Sequence, residues 1–339
     1  MYYRSSIIDE NGKTTGTDPF QGSYPHLLDI GIMGHCKHGE SGLCLEAGIQ
    51  CYQDGLHIHQ ENMSIKDYKK IIDESQGKLF QVALGGRGDP EEHETIEAIL
   101  KYTINHDIVP NITTSGLSMT RKKATLLKKY CGAVAVSWYR SPYTLKAIEY
   151  LVEAKVRTNI HYVLSRSTLE EAIDRIENDG FPKGINRIVF LLHKPVGLGT
   201  KEEVLEWTNP RVQYFFKLFN QEKYNEKAGF DSCSIPAILQ LAPEIAAASI
   251  DTCEGARFSA YITPNMKMIP CSFDQREHFA IDLIDNTIQE AWDSDSFEAF
   301  RDVLKNSCTE CTLRRNCYGG CPITNEIVLC QRKERNHES

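Results

Sequence analysis

The sequence predicts an α/β chain with parallel strands, in a partial six-unit (β/α)6 barrel of the TIM type, followed by a smaller cysteine-rich C-terminal domain. Three observations carry that reading. Short apolar runs rich in β-branched residues alternate with longer stretches of helical period. The units recur every 25 to 50 residues or so, a spacing that suits right-handed strand–helix–strand crossovers. Seven of the twelve cysteines lie between 253 and 330. Six units rather than eight leave the barrel open, although alternation alone also admits a doubly wound open sheet.

The first strand is read at 27–32, LLDIGI. After a long loop, SIKDYKKIIDES opens a helix at Ser64, a serine N-cap whose hydroxyl accepts from first-turn N–H groups. Strand two is LFQVAL (79–84), and EEHETIEAILKYTINH after it has apolar residues at three- and four-residue spacing. Strand three, DIVPNITT (107–114), precedes the helix TRKKATLLKKYC; strand four, GAVAVSW (132–138), precedes YTLKAIEYLVEAK. Strand five, VRTNIHYVL (156–164), precedes STLEEAIDRIEND, and strand six is RIVFLLH (187–193). EEVLEWTNPRVQYFFKLFN closes the alternation, and Pro210, which has no N–H to donate, is expected to kink or split it.

Composition excludes some function classes. Thirty-eight Lys and Arg against 46 Asp and Glu give a net charge of −8, without the basic footprint of a non-specific nucleic-acid binder. No apolar run approaches the roughly 20 residues of a membrane span, and the first residues, MYYRSSIIDENGKTTG, lack the apolar core of a signal peptide. Neither nucleic acid nor membrane is expected as a partner, and the expected location is cytoplasmic. Twelve cysteines in a chain of that kind point to metal, because the cytosol keeps thiols reduced. The late group contains Cys308-x2-Cys311-x5-Cys317-x3-Cys321, with Cys253 and Cys271 before it and Cys330 after it. Close C-x2-C pairs converge thiolates on one metal or cluster, and the glycines of YGGC allow backbone N–H groups near sulfur. Zinc is the alternative: a four-cysteine knuckle would use four of these seven and leave the early trio without a role.

In parallel α/β folds the ligand site lies at the C-terminal ends of the strands. Cys36, Cys44 and Cys51 follow strand one, GGRGDP (85–90) follows strand two, and TTSG (113–116) follows strand three. SWYR (137–140) closes strand four and HKPVGLG (193–199) follows strand six, so every unusual segment falls on the same rim.

These motifs resemble the radical S-adenosylmethionine enzymes that carry a C-terminal SPASM domain. CEGARFSAYITPNMKMIPCSF, IQEAWDSDSFEAFRD, CTECTLRRNCYGGC and the final Cys330 match the seven-cysteine SPASM pattern along its length. The resemblance implies an N-terminal extension (1–26), a radical S-adenosylmethionine barrel (27–232) and a SPASM domain (233–339) with two auxiliary clusters. With the catalytic cluster this makes three [4Fe–4S] clusters, and S-adenosyl-L-methionine is the further cofactor. The family's usual trio is C-x3-C-x2-C; here it is Cys36-x7-Cys44-x6-Cys51, and loop closure costs rise slowly enough with length to permit one cluster. Tyr52 keeps the family's residue, whereas Gln50 departs from it. His35 and His38 are alternative ligands that three thiolates make unnecessary.

Carried over by position, Gly85 and Gly86 match the GGE motif that receives the methionine amino group, with Asp89 as its displaced acid. Ser137 matches the ribose position, Asn159 is a second candidate for it, and Arg140 is the candidate partner of the cofactor carboxylate. For Ser115, Asn159 and Arg140, a polar strand-end residue satisfying local backbone is an equal reading. His161 and His193 are expected to be structural. The resemblance assigns Cys308, Cys311, Cys317 and Cys330 to one auxiliary cluster and Cys253, Cys271 and Cys321 to the other. The second set is one ligand short, and Cys233 either completes it or leaves an iron open. Cys131 is expected to be a buried apolar filler.

The resemblance implies reductive cleavage of S-adenosylmethionine to methionine and a 5′-deoxyadenosyl radical, which takes hydrogen from an unactivated C–H bond. The expected substrate is a ribosomally made precursor peptide, in the manner of the Nif11-leader maturases that include tyramine-excising spliceases. Cross-link formation, epimerisation, sulfatase-type or small-molecule oxidation, and a zinc-stapled binding protein are the alternatives. The stretch before strand one is too short for a leader-recognition domain, so a separate recognition protein is expected, together with a flavodoxin- or ferredoxin-type electron donor.

Overall fold

Each expected strand forms, trimmed by up to two residues at its ends. The computed structural model describes residues 20–245, 249–274 and 277–331, so most of the expected N-terminal extension lies outside the described residues. Strands β1 (Leu27–Ile30), β2 (Gln81–Leu84), β3 (Val109–Thr114), β4 (Val134–Ser137), β5 (Thr158–Leu164) and β6 (Arg187–Leu192) pair in parallel and in sequence order. A doubly wound sheet reverses order at a switch point. This sheet does not, and the architecture is the partial barrel.

Helices α1 (Ile65–Ser75), α2 (Ile96–Asn105), α3 (Arg121–Tyr130), α4 (Pro142–Glu153), α5 (Leu169–Glu177) and α6 (Pro210–Leu218) connect the strands. Ser64 caps α1, accepting from the Asp67 N–H at 3.1 Å, and Thr120 and Ser141 cap α3 and α4 in the same way. Pro210 splits the last expected helix by opening α6 at its first turn, where a missing N–H costs nothing.

Two findings extend the six-unit expectation. A three-residue strand β7 (Ala228–Phe230) adds to β6, and its sequence, AGF, is too short to read as a strand. On the other edge, β8 (Ser259–Ile262) pairs in parallel with β1 and turns back through β9 (Lys267–Ile269) to β10 (Ile281–Asp282). The sheet therefore continues past the boundary expected at 233, and one hydrophobic core runs from Leu28 through Phe190 to Trp292 and Leu304. Helices α7 (Ile235–Leu241), α8 (Ile288–Trp292) and α9 (Asp295–Asn306) complete the C-terminal part.

Strand alternation decides what faces the lumen. In β1, Leu28 and Ile30 are fully buried against the helices, which turns Asp29 to the lumen beside Ala83 and Tyr261. In β4 and β5 the same alternation sets Ser137 beside His161. Two buried arginines tie the C-terminal part together. Arg301 donates to the carbonyls of Ala256 and Trp292, each at 2.7 Å. Arg257 donates to those of Phe20 (2.7 Å) and Cys253 (3.0 Å) and lies over the Phe20 and Tyr318 rings.

Candidate functional site

The wide cysteine loop is shortened by two single helical turns. Cys36 caps the first, Lys37–Glu40, and its Sγ accepts from the Gly39 N–H at 3.3 Å. Gly42, at φ +73°, turns the chain into the second, Leu43–Glu46, which holds Cys44 buried. Gly55 packs on Cys36: a Cβ there would lie 3.3 Å from its Sγ and 2.9 Å from its Cβ. The loop after β6 clasps Cys51, whose carbonyl accepts from the Leu198 N–H at 2.9 Å. The three thiols are electrostatic neighbours: burial pushes both Cys36 and Cys44 up, with Asp89 and then Cys51 adding to it at Cys36 and Cys51 adding to it at Cys44. His38 stands aside from them. It is buried, stacks on Tyr139 with ring centroids 5.0 Å apart, bonds Tyr143 Oη at 2.5 Å, and is lowered by burial to about 4.

Beside the cysteine loop, GGRGDP makes a tight cradle. Gly86 adopts φ +92°, and a Cβ there would lie 2.6 Å from the Tyr261 hydroxyl. Arg87 is buried and donates to the Gln53 carbonyl at 3.2 Å, tying the cradle to the cysteine loop. Asp89 accepts from the Ser115 backbone N–H and from the Ser115 hydroxyl, each at 2.6 Å. Ser115 therefore orients Asp89 rather than facing the lumen by itself. Sequence reasoning missed Glu91, which is buried and accepts from the Thr114 hydroxyl at 2.5 Å. Burial, and then the neighbouring Asp89, raises its carboxyl to about 8. Asp89 is raised as well, chiefly by burial.

An open pocket lies beside this mouth, at the C-terminal ends of β4 to β6. Trp138, Tyr139, His161, Val163 and His193 form much of its wall, and Gln50 brings the cysteine loop to its edge. His193 bonds the Thr200 carbonyl, as expected of a structural histidine. Two sequence candidates are placed differently from their expected role. Arg140 lines the pocket, but its guanidinium pairs with Glu171, which also accepts from Trp138 Nε1, Arg175 and the Tyr162 hydroxyl. Burial pushes Glu171 up, yet these bonds outweigh it and hold the carboxyl below the usual range. Asn159 is the second residue of β5, away from the rim, and its side chain accepts from Asn186 at 2.8 Å. Gly85, Gly86, Asp89 and Ser115 come together on one side of the mouth, and Ser137 closes β4.

The late cysteines fall into two groups of four. Cys253 and Cys271 are electrostatic neighbours of each other and of Cys233, and Cys233 shares a hydrogen bond with Cys321. Burial raises Cys253 to about 12; the bond to Cys233 lowers Cys321, which also accepts from the Thr324 N–H at 3.3 Å. In the second group, Cys317 has Cys330, Cys308 and Cys311 as neighbours and is raised by burial to about 11. Gly319, at φ +81°, leaves no room for a Cβ, which would fall 2.5 Å from the Ser307 Cβ, and it lies against the Cys308 Sγ. The Thr252 hydroxyl bonds the Cys317 carbonyl at 2.6 Å and joins the groups. Cys131 stays apart, raised by burial to about 12.

Lys194, beyond β6, is buried beside the first of these groups. Burial alone would lower it, but Asp231 and the thiolates of Cys233 and Cys271 hold it above the usual lysine range.

The donor chemistry fits iron–sulfur clusters. Among the described residues, no three Cys, His, Asp or Glu side chains close to a single-ion site. The rim also keeps two buried polar atoms without a hydrogen-bond partner, Gln53 Nε2 and Glu91 Oε2. Residues 253–318 match the SPASM family, described as an iron–sulfur cluster-binding domain.

The chain carries a SPASM domain, and its fold is that of S-adenosylmethionine-bound proteins of known structure. Streptococcus suis SuiB bound to S-adenosylmethionine superposes with a TM-score of 0.67 at 18% identity, over 91% of this chain and 78% of that one. SuiB bound to the precursor peptide SuiA gives 0.67 at 17%, over 92% and 77%. Native anSMEcpe with bound AdoMet gives 0.63 at 14%, over 93% and 96%. No curated protein matches the sequence significantly.

Proposed function

We propose that this radical SAM/SPASM enzyme modifies a residue of a ribosomally made precursor peptide by hydrogen abstraction. The observation that carries the reading is the three-thiol loop, Cys36, Cys44 and Cys51, at the C-terminal end of β1 beside Gly86 and Asp89, with eight further thiols gathered in the SPASM part. SuiB, of the same fold, is bound in one structure to its precursor peptide, which supports a peptide as the substrate class.

In this reading Cys36, Cys44 and Cys51 would hold the catalytic cluster. Bound there, that cluster and S-adenosylmethionine would supply one-electron chemistry that side chains lack. The cradle at Gly85 and Gly86 would offer backbone to the methionine moiety, and Asp89, fixed by Ser115, would receive its amino group. Ser137 would serve the ribose, and Trp138, Tyr139 and His161 line the adjoining pocket. Cys308, Cys311, Cys317 and Cys330 hold one auxiliary cluster; Cys233, Cys253, Cys271 and Cys321 hold the other. Its four-thiol set favours Cys233 as the completing ligand over an open iron.

Backbone excision of tyramine at a Tyr-Gly site is the specific outcome we propose, with a separate leader-recognition protein and a flavodoxin- or ferredoxin-type donor as partners. Incubating the reconstituted chain with S-adenosylmethionine, reductant and a precursor peptide containing Tyr-Gly tests it by mass spectrometry. Loss of a tyramine equivalent supports excision; a two-hydrogen loss with the backbone intact points to a cross-link instead. Deoxyadenosine formation indifferent to every peptide overturns the peptide reading.

A further inference from the structure

Lys194 is a charge carried into the protein interior, with a side chain only 4% exposed. Lysine is rarely buried unless paired, because an ammonium removed from water needs compensation. Its partner is Asp231. That carboxylate is itself fixed, accepting from the Leu192 N–H at 3.0 Å and the Ser234 hydroxyl at 2.8 Å. On another side, the Lys194 ammonium lies 4.5 Å from the centre of the Phe273 ring. Asp231 stands two residues before Cys233, and Phe273 two residues after Cys271. The cation is thus held from two directions, by the two segments that deliver thiols to the first SPASM group.

An ion pair this deep is a weak source of stability, since desolvation offsets most of the attraction. Its effect on a neighbouring redox group is larger. Adding an electron to a thiolate-bound cluster adds negative charge, and a fixed cation nearby, poorly screened in the interior, favours the reduced state. Groups around the ligands and local charge are among the protein's established means of moving cluster potentials. Arg257 is the other cation near these thiols, and its guanidinium is engaged by the carbonyls of Phe20 and Cys253.

We propose that Lys194 is a positioning residue whose buried charge raises the reduction potential of the auxiliary cluster held by Cys233, Cys253, Cys271 and Cys321, and of that cluster alone. The proposal rests on the cluster assignment given above. Asp231 sets the dose: it fixes the ammonium in place and partly cancels its field.

The test is an EPR-monitored redox titration of the full chain, reconstituted without oxygen, with iron counted on each sample. In K194M, the midpoint potential of one auxiliary cluster is expected to shift downward at unchanged iron content, with the other two clusters unmoved. K194R is expected to restore it. D231N, which leaves the cation without its counter-charge, is expected to shift the same cluster upward. Equal potentials in wild type and K194M at equal iron overturn the proposal. If K194M loses iron, D231N decides: an upward shift supports the role of charge, and no shift or a downward one overturns it. Failure of the underlying assignment is distinguishable, because it shows in the wild type and in C233A: a wild-type chain with no reducible cluster at these four thiols removes both.

Discussion

Ser115 donates both its backbone N–H and its hydroxyl to the two oxygens of Asp89, at 2.6 Å each. The pair joins the loop after β3 to the loop after β2 and fixes the one carboxylate that faces the cysteine loop from the glycine cradle. Removing the hydroxyl in S115A leaves a single donor. A hydrogen bond to a charged group contributes about 1.5–3 kcal/mol, so the Kd for S-adenosylmethionine is expected to rise about tenfold or more at unchanged iron content. Calorimetry on the reconstituted chain checks this, and an unchanged Kd removes Asp89 from the cofactor site.

Glu91 makes stability depend on pH. Its folded carboxyl is raised to about 8 from an ordinary 4.5, so between those values the folded state holds a proton that the unfolded state has released. Stability therefore falls as pH rises through that window. E91Q keeps an oxygen for the Thr114 hydroxyl but has nothing to ionise. Its melting temperature is expected to match wild type near pH 5 and exceed it increasingly toward pH 8. A constant difference across the range contradicts the assignment.

Gly86 bears both a left-handed backbone and a steric limit. G86A adds strain at φ +92° and a Cβ 2.6 Å from the Tyr261 hydroxyl. The cost is expected to be on the order of 1–3 kcal/mol. Without that hydroxyl the nearest ring atom is 3.4 Å away, so G86A/Y261F is expected to recover the steric part and leave the backbone part. Denaturant melts of the four-member cycle measure both; additive effects mean the two residues do not meet.

Cys233 and Cys131 separate ligand from filler. C233A is expected to lower iron and perturb the spectrum of one auxiliary cluster, while C131A, at a thiol apart from both SPASM groups, leaves iron unchanged. Iron and sulfide counts decide, and equal iron in wild type and C233A removes Cys233 from the cluster.

Much of the frame was legible because it is written at short range. Strand runs, the cap at Ser64 and the break at Pro210 depend on neighbours within four residues. What sequence left dark was decided across distance. The cysteine loop closes because Gly55 admits Cys36 and because the segment at Leu198 bonds the Cys51 carbonyl, contacts that no local pattern encodes. Arg140 offers a cation at a strand end, but its partner, Glu171, lies 31 residues away on α5. Glu91 sits in an ordinary acidic run, PEE, and only Thr114 and the surrounding burial make it distinctive. Strand β8 escaped notice because it completes the barrel edge from within a segment dominated by cysteines.

The most direct test of the account asks whether the wide trio holds the catalytic cluster. Wild type and C44A are reconstituted without oxygen, counted for iron, and assayed with reductant for 5′-deoxyadenosine. Wild type is expected to hold roughly twelve irons, as three cubanes require, and to cleave S-adenosylmethionine, while C44A loses about four irons and all cleavage. Zinc in place of iron, or deoxyadenosine formed equally by C44A, would contradict it.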